Sequence, residues 1–289
     1  MAQTVGELFD REPQQWETDG DRSLWRWSRD RFAGVPIPES RGALDALLRT
    51  GVAEELGVPL TSPHDDVVAL WRSGDGRPTS EVVDILWWRR QALPLLLDRA
   101  DLPGATVALR TTTEEDWRSI RRLRIENATE NPISYGATLE TTLGMTEDEW
   151  RLRGRRGSSR SATSLVAVDD RSGRWVGMMS AQEDADPPGC LLTGVYVAPA
   201  YRGRRQGVAD ALFGEILGWT TRRSGPLRLW VDAGDAGLPA RGFDARHGFS
   251  ATGRAKPIGF VAGNVVEMAR LVSASAPASA SASASVPFA

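Results

Sequence analysis

Up to about residue 100, apolar side chains recur at three- and four-residue intervals; beyond residue 106 they come in short runs that alternate between strand-like and helix-like spacing. Leu44, Leu47, Leu48, Val52 and Leu56 follow Ser40, a residue type that caps helix N-termini, and predict a helix. A second helix is predicted from Ser80, with Val83, Leu86, Trp87 and Leu93 on one side and Pro94 as its interruption. Gly- and Pro-containing turns at Asp19-Gly20, Gly34 to Pro38 and Gly74 to Pro78 punctuate this segment. Residues 1–101 therefore read as a small, mainly helical accessory domain. It holds six of the eleven tryptophans (Trp16, Trp25, Trp27, Trp71, Trp87 and Trp88), which either fill a small core or form a binding face. The core is the favoured expectation.

Leu102-Pro103-Gly104 reads as a linker to a second domain spanning 106–271. Its first strand is Thr106 to Arg110. A capping box at Thr113 and Asp116 then opens a helix that buries Trp117, Ile120 and Leu123. Asn127 to Gly144 is broken by Pro132 and Gly136, and a helix resumes around Thr146 to Trp150. Ser164 to Val168 and Trp175 to Gln182 predict a hairpin, Asp184 to Gly189 a loop, and Leu191 to Val197 a further strand. A helix from Gln206 presents Val208, Leu212, Ile216 and Trp219 to the core. Leu227 to Val231, a short helix Pro239 to Arg246, and strands from Gly248 and over Val265 to Leu271 complete the pattern. Strands separated by helices argue for a mixed α/β sheet. Residues 272–289, almost all Ser, Ala and Pro, lack the bulk to offset their ordering entropy and are expected to be a disordered tail.

Composition narrows the function. The 289 residues are 41% hydrophobic and 25% charged with a net charge of −3, so no global basic field points to nucleic acid. The basic runs Arg151 to Arg160 and Arg202 to Arg205 suit a phosphate-bearing small ligand instead. One cysteine, Cys190, excludes an intrachain disulfide and reads as an ordinary strand residue. With it and only His64 and His247, no metal cluster of soft ligands can form. No apolar run reaches the roughly 20 residues of a membrane span, and the N-terminus lacks a signal pattern. A cytoplasmic monomer or homodimer with no membrane partner is the expectation.

The densest chemistry lies between Gly194 and Ala209: a strand ending at Pro199, a basic turn at Arg202-Gly203-Arg204-Arg205, then a helix. Glycines 203 and 207 allow close backbone approach, the helix offers unpaired N–H groups and the positive end of its dipole, and Arg202, Arg204 and Arg205 add phosphate-matching charge. Arg204-Arg205-Gln206-Gly207-Val208-Ala209 resembles the (Arg/Gln)-x-x-Gly-x-(Gly/Ala) signature of the GNAT superfamily of acyl-CoA-dependent N-acyltransferases. Val195 to Pro199 is similar to that family's fourth strand, and Arg246 to Phe249 to its late helix-to-strand corner.

The resemblance implies a mostly antiparallel sheet, an acetyl-CoA donor and a small-molecule or protein amine acceptor. It implies that Val195, Tyr196 and Val197 line the pantetheine arm, that the Val197 backbone N–H polarises the thioester, and that Arg202, Arg204, Arg205, Gln206, Gly207, Val208 and Ala209 hold the pyrophosphate. Ile133 and Tyr135 would line the amine pocket. The family's usual general-acid Tyr is replaced by Asp244, which can donate a proton at neutral pH only if its surroundings raise its pKa. The Asn often found near the end of the fifth strand has no counterpart in Asp232 to Pro239. Glu183 and Asp232, both at expected strand ends, are the candidate general bases. Tyr196 is an alternative proton donor if its side chain faces the cofactor. These departures keep a non-catalytic acyl-CoA-binding protein as the alternative to an N-acetyltransferase.

Overall fold

The computed structural model describes residues 2–14, 16, 19–57, 87–103, 106–130, 136–260 and 263–271. Residues 80–86 of the second expected helix, the turn at Gly74, the pocket residues Ile133 and Tyr135, and the tail 272–289 lie outside the described residues.

Helix α1 spans Asp19–Arg31. Helix α2 spans Arg41–Glu55, and the Ser40 side chain caps it by accepting from the Ala43 N–H at 3.2 Å, as its sequence predicts. Pro94 does not interrupt the next helix. A π-helical turn, Trp88–Ala92, runs directly into α3, Leu93–Arg99, with Pro94 in its first turn. A π turn, often found where the regular helical ladder is locally disturbed, takes up the bond that the proline nitrogen cannot make.

Among the described residues, the N-terminal tryptophans fill or pack against a core. Trp25, Trp87 and Trp88 are among the largest fully buried side chains. Phe9 meets Trp25 edge-on at 4.9 Å, and the Trp25 indole N–H donates to the Phe9 carbonyl at 3.0 Å. This apolar cluster does not stop at residue 101. It continues from Trp25, Leu44 and Leu96 through Ala200 and Tyr201 into Val166, Leu212 and Phe249.

The sheet is mixed and mostly antiparallel. Its seven strands are β1 (Val107–Thr111), β2 (Ala162–Asp169), β3 (Trp175–Ala185), β4 (Pro188–Val197), β5 (Leu227–Asp232), β6 (Ser250–Pro257) and β7 (Asn264–Arg270), in the order β1-β2-β3-β4-β5-β7-β6. Every neighbouring pair is antiparallel except β4 and β5. Between β1 and β2 run α4 (Trp117–Glu130), α5 (Leu139–Leu143) and α6 (Glu147–Gly154), α4 entered through the Thr113/Asp116 capping box and α6 opened by a second one at Thr146/Glu149. The expected loop at Asp184 to Gly189 is a tight hairpin instead, since Asp184 pairs with Gly189 and Ala185 with Pro188.

Helix α7, Val208–Thr220, makes the crossover that a parallel β4–β5 pair requires. It starts at Val208 rather than Gln206, because Gly207 adopts a left-handed φ of 65° that no helix interior accepts. Helix α8, Leu238–Arg246, follows β5 and packs against it. Neighbouring residues show which helix covers which face. A Cβ on Gly177 would touch Leu212 and Val208 of α7, whereas Tyr196, paired with Met178, reaches Glu130 of α4. Helices α7 and α4 thus lie on opposite faces of the sheet.

Candidate active site

Two local irregularities open the middle of the sheet. β4 and β5 pair only at Cys190 with Leu227 and Leu191 with Arg228. Beyond that point β4 continues to Val197 and β5 to Asp232 without pairing, so the strands diverge. β4 also bulges: the register with β3 steps from Met178–Tyr196 to Ser180–Thr193, and Gly194 takes φ 63°. A Cβ at Gly194 would collide with the buried Arg124 guanidinium, so the helix side chain and the strand backbone are in direct contact here.

The strand's end is aimed at the gap. Ala198 N–H donates to Val176 on β3 at 2.8 Å, so by alternation the peptide groups of Val197 point to the side that β5 has left. The Val197 carbonyl on that side accepts from Arg202 Nε at 2.7 Å. A 3-10 turn, Pro199–Tyr201, comes next and is held from two directions. Arg41 Nε donates to the Ala200 carbonyl, and the Tyr201 hydroxyl donates to Asp169 Oδ2 at 2.8 Å.

The basic turn then presents backbone. Gly203 (φ 98°) and Gly207 (φ 65°) face open space, since a Cβ at either would meet nothing within 4 Å. The residue before α7, Gly207, has no side chain with which to cap its N-terminus. Arg204 and Arg205 are exposed, with Arg205 in a solvent-facing ion pair to Asp101 at 3.0 Å. Arg202 is exposed but tethered: besides Val197, its Nη2 reaches Glu130 Oε2 at 3.0 Å and its guanidinium lies over the Tyr196 ring. Gln206, Val208 and Ala209 form the step from turn to helix, with Val208 buried.

The proton-transfer candidates separate. Asp244 is the one residue of α8 that is buried, and burial pushes its carboxyl up to about 7. Asp232 ends β5 on the diverging side, is buried, and accepts from the Gly234 N–H at 2.9 Å. Glu183 pairs with Cys190, at the closed end where β4 and β5 still touch, and forms an exposed ion pair with Arg223 at 3.0 Å. The structure therefore places Asp232 and Asp244 along β5 and its helix, and Glu183 apart from them. Tyr196 faces α4; its hydroxyl donates to Glu130 Oε2 at 2.9 Å, and burial pushes its pKa well above the usual range. Cys190 is buried, which likewise raises its thiol.

Sequence reading missed a set of buried charges beside this site. Asp45 and Arg49 on α2, Glu126 and Glu130 on α4, and Arg174 before β3 are interlocked by ion pairs. A signal existed: Leu123, Glu126, Asn127 and Glu130 follow core-facing helical spacing, so acids occupy positions where apolar residues are expected. A cavity of about 320 Å³ adjoins the cluster, lined among others by Arg122, Glu126, Arg174, Trp175 and Tyr201.

Comparison with known families settles the class. Residues 118–249, which hold α4, the bulged strand, the basic turn and α8, match the acetyltransferase (GNAT) family. This stretch is a GNAT acetyltransferase domain. The chain carrying it is an acyltransferase enzyme. No curated protein matches the sequence. Similar solved structures include a GNAT-family acetyltransferase from Streptococcus pneumoniae (16% identity, 58% of this chain and 100% of that one, TM-score 0.48). A spermidine N-acetyltransferase chimera from Vibrio cholerae and hSSAT shares 17% identity over 57% of this chain and 95% of that one, with a TM-score of 0.44. Arabidopsis thaliana NAA60, in complex with a bisubstrate analogue, shares 16% over 57% and 98%, with a TM-score of 0.43. The GNAT domain's described residues contain no helix long and apolar enough to cross a membrane.

Proposed function

We propose that the protein transfers an acetyl group from acetyl-CoA to a primary amine of a small molecule or a protein. The observation that carries this reading is the continuity of the diverging β4 edge with the glycine-led N-terminus of α7. The first offers backbone that an extended amide-bearing arm can pair with, and the second offers oriented N–H groups for a pyrophosphate. Open space before Gly203 and Gly207, with Arg204 and Arg205 exposed beside it, fits that group. Arg202 holds the strand end rather than a phosphate.

When bound, acetyl-CoA supplies an acyl group activated as a thioester. The chain's own residues then have separate tasks. The Val197 N–H faces the gap where a thioester carbonyl would gain negative charge. Asp232, buried at the end of β5, takes a proton from the attacking ammonium in this reading, directly or through water. Asp244, half protonated near neutrality, has a proton to give to the departing thiolate. The replacement of the family's Tyr is thereby met by a carboxylic acid of suitably raised pKa.

Thiol release from acetyl-CoA in the presence of a panel of primary amines tests the assignment. Amine-dependent release that drops at least about tenfold in Asp244→Asn is expected, because general acid catalysis typically supplies 10²–10⁴-fold. No amine-dependent release by the folded protein would overturn the reading.

A further inference from the structure

Charged side chains rarely enter a core unless they are paired, and a fully desolvated pair seldom stabilises more than an apolar one of the same shape. Arg49 on α2 is fully buried: its Nε donates to Asp45 Oδ1 at 2.9 Å, and its Nη2 lies 4.0 Å from both Glu126 and Glu130 on α4. Arg174 joins Asp45 at 3.1 Å and Glu126 at 2.9 Å. Arg202 closes the cluster on Glu130 at 3.0 Å, so three guanidinium groups face three carboxylates.

The cluster has a direction. Glu130 holds one oxygen, Oε1, towards Arg49, while its other, Oε2, accepts from the Tyr196 hydroxyl at 2.9 Å and from Arg202. Arg202 in turn fixes the Val197 carbonyl at 2.7 Å. An ion pair at 4.0 Å, followed by hydrogen bonds, therefore leads from a helix outside the GNAT domain to the last residues of β4 and the entrance of the basic turn. Arg41, at the start of the same helix, grips the 3-10 turn at Ala200 from the other side.

We infer that Arg49 is a positioning residue for the acyl-donor site: from α2 it orients the Glu130 carboxylate, which through Tyr196 and Arg202 sets the end of β4 against the turn at 203–207. This rests on the reading of that turn as the coenzyme A site. It makes the N-terminal helices a working part of the transferase rather than an appended module, which also accounts for charges where apolar packing alone would join the two halves.

The test uses the full chain, with CoA affinity measured by calorimetry and the KM values of acetyl-CoA and of the amine measured separately. Arg49→Met and Glu130→Gln are expected to raise the Kd for CoA and the KM for acetyl-CoA by about tenfold, within the roughly 5–150-fold typical of coupling between sites. The KM of the amine should move far less. Arg49→Lys should recover most of the loss, and Val52→Ala, a buried truncation on the same helix, should leave CoA affinity unchanged. If Arg49→Met does not fold, Glu130→Gln carries the test, since it keeps the side chain's shape while removing its charge and one of its two acceptor oxygens. Wild-type affinity in folded Glu130→Gln or in folded Arg49→Met, or equal weakening in Val52→Ala, would overturn the inference. Should wild type bind CoA and lose it in Gly207→Trp while the cluster variants match wild type, this inference alone fails. No binding by wild type defeats the turn reading and this inference together.

Discussion

Replacing Asp244 by Asn should stabilise the protein by an amount that depends on pH in a defined way. Burial carries this carboxyl from an ordinary 3.8 to about 7. A group whose pKa is higher in the folded state keeps more protons there than in the unfolded chain, so stability falls as pH rises between the two values. Below about pH 4 both states are protonated and the residue costs nothing extra. Above about pH 7 both are ionised, and the full cost of the buried charge is present, about 4 kcal/mol at 1.36 kcal/mol per pH unit. Asn has nearly the same shape and no charge to lose. The variant-minus-wild-type difference should thus grow by about 3 kcal/mol between pH 5 and pH 8. Urea denaturation of both proteins at the two pH values reads that difference directly, and other titrating groups cancel in it. An equal difference at pH 5 and pH 8 would show that Asp244 ionises normally, and the proposed proton donor would be lost with it.

Three further outcomes follow from the same geometry. Glu183→Gln should leave turnover unchanged and alter stability by no more than about 1 kcal/mol, because its pair with Arg223 is exposed and lies where the strands still touch; a large loss of turnover would return Glu183 to the site. Leu44→Ala, at a fully buried position of α2, should cost about 2.7–5 kcal/mol and lower one shared transition in calorimetry, since the apolar cluster is continuous; two separate transitions would contradict that continuity. Gly194→Ala should cost about 1–3 kcal/mol, from a left-handed φ and the contact with Arg124, and weaken acetyl-CoA binding by disturbing the bulge; unchanged stability and affinity would show the bulge to be plastic.

Much of this architecture was legible from the chain because local chemistry spelled it out. The Ser40 cap and the Thr113/Asp116 box gave helix starts, and glycines at 203 and 207 marked a backbone that had to turn sharply. What misled was also local. Pro94 reads as a breaker by itself, yet the helical run passes through it by way of a π-helical turn. Gly207 looks like part of a helix by spacing, although its left-handed φ makes it the residue before one. The placement of Glu183 depended on where β4 and β5 part, and strand divergence leaves no periodicity to read.

The charge cluster was out of reach for a different reason. Its members come from residues 45 and 49, 126 and 130, 174 and 202, so only the tertiary fold brings them together. Asp244 illustrates the complement: its identity posed the question, and its burial answered it.

Calorimetric titration of acetyl-CoA and of free CoA, into the intact protein and into Gly207→Trp, tests the central claim most directly. The substitution strains a left-handed backbone by about 1–2 kcal/mol and fills the open space before the turn without displacing a neighbour at its Cβ. Binding to the intact protein that disappears in the folded variant is the predicted result. Equal binding to both, or none to the intact protein, would contradict it.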